Sequence, residues 1–198
     1  MRGLLMAGAM AAAGLSGAAS AQPPTQPAQG GMGEEYCVYL KLTDTLDYQV
    51  VAEAFLMGFE EDEAKALIKT AADSCLKEMS MSVNQVALAS EVGIYGSAAD
   101  YLADELADLG VSEAAITNLY DVVDDMSDED LDLLFEGGWR DDAAMKARMK
   151  SAAIAKGVPD KEDVLMSAYE MIEVSAHGME AALAYLMADM ADFDEDET

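Results

Sequence analysis

From Leu165 onward the chain places an apolar side chain at alternating intervals of four and three residues: Leu165, Tyr169, Ile172, Ala176, Met179, Leu183, Leu186 and Met190. That spacing returns side chains to one side of an α-helix and is incompatible with the two-residue period of a strand. A seam sustained over this length predicts a long, heptad-patterned C-terminal helix that buries a narrow stripe. A homodimeric coiled coil is one way to cover it. Packing within the chain is the reading preferred here, because the rest of the sequence supplies other amphipathic helices.

Upstream, helix starts and stops recur. Glu35 to Met57 carries apolar positions at Tyr36, Tyr39, Leu40, Leu46, Val50, Ala54 and Phe55, with Thr43 and Asp44 as a place to divide it and Gly58 as its end. A second helix spans about 62–79 and turns Leu67, Ile68, Ala71 and Cys75 to one face. Ser82 with Gln85 forms a capping box for a third, which reaches Leu109 with Gly93 and Gly96 as weak points. Ser112 opens a fourth, using Ile116, Leu119, Tyr120 and Val123. Ser127 opens a short fifth, before Gly137-Gly138 and a core-seeking Trp139. Asp141 or Asp142 opens a sixth that ends at Gly157, and Asp160 with Asp163 resembles a capping box for the last. Ala and Met dominate the apolar content, which favours helices over sheet. The expectation is an all-α, single-domain bundle of about six to seven amphipathic helices over 34–191. An acidic tail follows at 192–198.

Residues 1–21 read as a secretory signal peptide. Arg2 is the positive start, a short run of Leu, Met and Ala follows, and Ala19-Ser20-Ala21 is the small-x-small cleavage site. An uncleaved anchor is the alternative, but the run is short and broken by glycines, whereas spanning takes roughly 20 apolar residues. No cysteine follows the site to carry a lipid. Residues 22–33, rich in Pro, Gln and Gly, read as a flexible linker. The product is expected to be exported, periplasmic or secreted. Cys37 and Cys75 are the only cysteines, and an oxidising compartment favours a disulfide between them over two buried free thiols.

Thirty-nine acidic residues against 11 basic ones give a formal net charge of −28. Such a surface repels nucleic-acid phosphates and anionic headgroups, so nucleic acid is set aside as a partner. Stable membrane insertion is not expected, because acidic residues interrupt every later apolar stretch. Basic protein surfaces and weakly held divalent cations remain as partners. The plainest reading of the charge is a solvated surface that maintains solubility. Six of the 11 basic residues fall between Arg140 and Lys161. Arg140, Lys146, Arg148 and Lys150 therefore form a candidate interaction surface for an acidic partner. The competing reading sets that helix against acidic neighbours, whose repulsion it relieves.

Glu170, Glu173, His177 and Glu180 recur at helical intervals and form a candidate metal stripe, with the lone histidine as nitrogen ligand. A solvated helix face explains the same residues. Asp128, Asp130 and Asp132 imitate a calcium loop, but Leu133 stands at its glycine position and Trp139 at its glutamate position, so an EF-hand is rejected. Met79 with Met81, Met145 with Met149, and Met187 with Met190 offer thioethers to Cu(I), though methionine is also an ordinary core filler. The sequence lacks a nucleophile elbow, a phosphate loop and a zinc-protease motif, and it implies no cofactor. Three functions follow in order: a non-enzymatic exported protein acting through protein contacts or as a soluble envelope component, a Ca or Cu binder, and a carboxylate-dependent hydrolase.

Overall fold

The computed structural model describes residues 33–191. The proposed leader, the linker up to residue 32, the acidic tail and the side chain of Met190 lie outside the described residues. Eight α-helices follow one another, with no strand among the described residues: α1 Cys37–Thr45, α2 Tyr48–Met57, α3 Glu61–Glu78, α4 Val83–Asp108, α5 Glu113–Asp124, α6 Asp128–Phe135, α7 Ala143–Ala155 and α8 Glu162–Ala191. Short 3-10 turns at Glu34–Tyr36 and Gly138–Arg140 precede α1 and α7.

Side chains that satisfy orphan amides fix the starts. Ser82 Oγ accepts from the Gln85 N–H at 3.1 Å, and Gln85 Oε1 accepts from the Ser82 N–H at 2.8 Å. Ser112, Ser127 and Asp142 cap α5, α6 and α7, each side chain accepting from the backbone N–H three residues on. The Asp128–Asp132 acids are thus the first turn of α6, where the helix dipole favours negative charge. α8 begins at Glu162, one residue later than a cap at Asp160 requires, and the Asp160 carboxylate is engaged by Lys150.

The two longest helices, α4 and α8, run antiparallel as the spine. Ser167, early in α8, donates to Glu105 late in α4 at 3.2 Å, while Val92 clusters with Ala181 and Ala182. One core lies where α5, α6 and α7 close over the first half of α8, around Leu119, Leu134, Trp139, Met145, Met149 and Ile172. A second lies where α1, α2 and α3 close over the first half of α4, around Val38, Leu42, Val51 and Ala71. Burial of each large side chain contributes about 1.5–3 kcal/mol. The Cys37–Cys75 disulfide ties the start of α1 to the end of α3 inside this second core, with Cα atoms 6.0 Å apart. Trp139 is fully buried and edge-on to Tyr169 at 5.9 Å, and its indole N–H meets no acceptor among the described residues.

Three expectations need correction. The first helix divides at Leu46–Asp47 and not at Thr43–Asp44. The Thr43 hydroxyl turns back to the Tyr39 carbonyl at 3.1 Å, so it stays within α1, and Asp47 caps α2 by accepting from the Gln49 N–H. Gly93 and Gly96 do not weaken α4, which runs through both. They are notches that admit α1: a Cβ on Gly93 would lie 2.8 Å from Val38 Cγ1, and one on Gly96 would lie 2.5 Å from Tyr39 Cδ2.

The seam of α8 holds only as far as Ala176, with Met179 partly covered. Leu183 and Leu186 are 62% and 51% exposed, whereas Ala181, Ala182 and Tyr185 are buried. Ala181 and Tyr185 lie on the side opposite Leu183, where α4 and the first 3-10 turn cover the helix. The face that α5–α7 occupy is left open once those helices end.

Candidate functional site

Glu170, Glu173 and His177 line a cavity of about 220 Å³ together with Arg140, Phe55 and Tyr95. The structure thus brings part of the metal stripe and part of the basic surface to one place. The Arg140 guanidinium donates to both Glu173 oxygens, at 2.6 and 2.7 Å, and lies over the Trp139 ring at 4.5 Å. A bidentate fork of this kind is among the strongest charge-assisted contacts. His177 stacks on Tyr95 with centroids 5.0 Å apart, and its Nδ1 lies 3.8 Å from Glu180. Glu170 is half-buried, and burial pushes its carboxyl above the ordinary value despite the opposing pull of Arg140. Among the described residues no three His, Cys, Asp or Glu side chains converge on a point that could hold a metal ion.

The remaining basic residues of the candidate surface are engaged within the chain. Lys146 donates to the Arg140 carbonyl, Arg148 forms a fork with Asp130, and Lys150 meets Asp160 at 2.5 Å. Lys156 sits between Asp121 and Asp125, at 3.4 and 3.5 Å. The helix that concentrates positive charge is fastened to the acidic elements around it. Of the methionine pairs, Met145 and Met149 are fully buried core residues, Met79 and Met81 pack against the second core, and Met187 is exposed.

A larger groove of about 340 Å³ adjoins this cavity, sharing Tyr95 and Val174. Tyr36, Tyr39, Tyr95 and Tyr120, half of the eight tyrosines, line it. They arrive from the first 3-10 turn, α1, α4 and α5. Gly96 lets the Tyr39 ring lie against α4, while Gly178 on α8 faces Tyr95 at a distance that leaves room for a Cβ, 3.4 Å from that of Tyr95. Asp100 supplies the groove's charge. Its Oδ2 accepts from the Tyr39 hydroxyl at 2.8 Å, and one turn on, Asp104 accepts from the Tyr48 hydroxyl at 2.8 Å.

No lysine or arginine among the described residues lies within ion-pair distance of Asp100. Burial raises its pKa, and repulsion from Asp104 adds to that, while the Tyr39 hydroxyl acts in the opposite sense. The Tyr39 phenol is itself pushed well up, first by burial and then by Asp100. Reading the sequence placed Tyr36, Tyr39 and Tyr120 only as packing positions. The hint available there was a preference for aromatics with a polar tip, eight Tyr against four Phe.

No protein family matches the chain, and neither a curated protein nor a solved structure matches it. No helix among the described residues is long and apolar enough to cross a membrane.

Proposed function

We propose that this is an exported, non-enzymatic helical protein that acts by contact with a positively charged protein partner. The reading rests on one observation above the others: the acidic excess is not neutralised by the fold. Of the ten Lys and Arg residues from position 33 onward, eight already meet an acceptor within the chain, so nearly all the positive charge is spent on internal contacts. The surplus of carboxylates faces outward, where it attracts and orients a basic surface over distances of about one Debye length, roughly 10 Å at moderate salt. The leader-like residues 1–21 support export, and the disulfide suits an oxidising compartment.

Cross-linking in the native cell, followed by fractionation, tests this. The expected result is a processed protein outside the cytoplasm, joined to a partner of basic isoelectric point in a complex that dissociates as salt rises. A cytoplasmic protein with its first 21 residues intact overturns the export reading. A complex indifferent to salt, or turnover of a substrate by the isolated chain, overturns the contact reading.

A further inference from the structure

The groove between α1, α4, α5 and α8 has a chemistry that selects among basic groups. Four tyrosines line it beside apolar side chains, and π-faces attract cations electrostatically. Asp100 is part of its lining, partly desolvated and with no cationic partner among the described residues, and the Tyr39 hydroxyl is bonded to its Oδ2. A guanidinium suits this combination better than an ammonium, because a planar cation stacks on a ring while its edge forks onto a carboxylate. The same chain already contains the arrangement once. Arg140 lies 4.5 Å above the Trp139 ring and forks onto Glu173. The groove likewise combines aromatic residues with a carboxylate, and no arginine is among the described residues that line it.

We infer that this groove receives an arginine side chain of the partner, stacked between Tyr36, Tyr39 and Tyr120 and paired with Asp100. The assignment deepens the proposed basic-partner reading and rests on it. Charge complementarity fixes the occupant. An acidic or neutral side chain would leave Asp100 uncompensated, and a long apolar one would desolvate it further.

The test uses the full chain and a blocked glycine pentapeptide with a central arginine, titrated by NMR with the tyrosine ring signals as readout. Binding shifts the rings of Tyr36, Tyr39 and Tyr120, and the lysine analogue binds more weakly. Asp100→Asn keeps an acceptor for the Tyr39 hydroxyl and so keeps the fold, yet weakens binding about tenfold through loss of a charge-assisted contact. Tyr120→Leu keeps apolar bulk at a partly exposed site and weakens binding severalfold. Glu129→Gln makes the same charge change as Asp100→Asn on the exposed face of α6 and leaves binding within about twofold, because screening limits distant charges. Equal loss in Asp100→Asn and Glu129→Gln sinks the groove and leaves the wider acidic-surface reading standing. Tetramethylammonium bound as tightly as the peptide, with the same dependence on Asp100, makes the occupant a free small cation and overturns the arginine assignment. Absence of peptide binding at millimolar concentration also overturns it, and the cross-linking experiment then judges the wider reading independently.

Discussion

Replacing Gly93 by alanine separates two accounts of the same residue. If glycine there is merely a poor helix former, alanine stabilises α4 by about 1 kcal/mol. The structure gives the opposite sign. The new methyl would sit 2.8 Å from Val38 Cγ1 and 3.3 Å from the Tyr39 backbone nitrogen. Val38 is fully buried and β-branched, so it has no alternative rotamer to retreat into. The contact with backbone means that α1 itself must shift, and Cys37 next door holds α1 to α3. Overpacking of this kind costs about 1–3 kcal/mol, and the constraints on α1 place it at the upper end. Subtracting the propensity gain leaves a net loss of about 2 kcal/mol, or roughly 4–8 °C in melting temperature for a domain of this size. Gly178 is the control. An added Cβ there makes an ordinary 3.4 Å contact with Tyr95, so Gly178→Ala raises the melting temperature by about 2–4 °C. Calorimetry or circular dichroism measures both. A Gly93→Ala protein that melts as high as Gly178→Ala refutes the notch.

Reduction of Cys37–Cys75 opens a link across 38 residues. Loop-closure entropy then sets the loss of stability at about 4 kcal/mol, which appears as a lower urea midpoint with reductant, and an unmoved midpoint contradicts it. Two partly buried carboxyls also contribute to stability in a way that grows as pH falls through their raised folded values toward the ordinary carboxylate range. Asp100 and Glu170 have pKa values raised by burial, so as pH increases the unfolded chain ionises them before the folded chain does. Folding is therefore penalised from the ordinary carboxylate range upward, and the penalty is complete above the raised folded values. Denaturant midpoints from pH 7 to 4.5 should climb, and Asp100→Asn should climb less. A flat profile, or one unchanged by Asp100→Asn, counts against the assignment.

What could be read from the chain depended on how local its cause is. Ser82 with Gln85, Ser112, Ser127 and Asp142 announced helix starts because capping is settled within three residues. Cys37 and Cys75 announced their bridge because they have no competitors. Gly93 and Gly96 misled, since a notch and a weak point look alike until the opposing helix is in place. Leu183 and Leu186 continue a seam perfectly well, yet what covers a seam is decided by where α5–α7 stop. The tyrosine groove was out of reach for the same reason. Tyr36 and Tyr120 are 84 positions apart in sequence and come to line one groove only through tertiary packing around α4 and α8.

The lone indole of this chain has an optical consequence. Its emission arises wholly from one point, where the second 3-10 turn enters the core beside α8, fully buried and with no hydrogen-bond acceptor among the described residues. Fluorescence of the untouched protein therefore reports on solvent entry at the seat of Arg140, next to the smaller cavity, with no label attached.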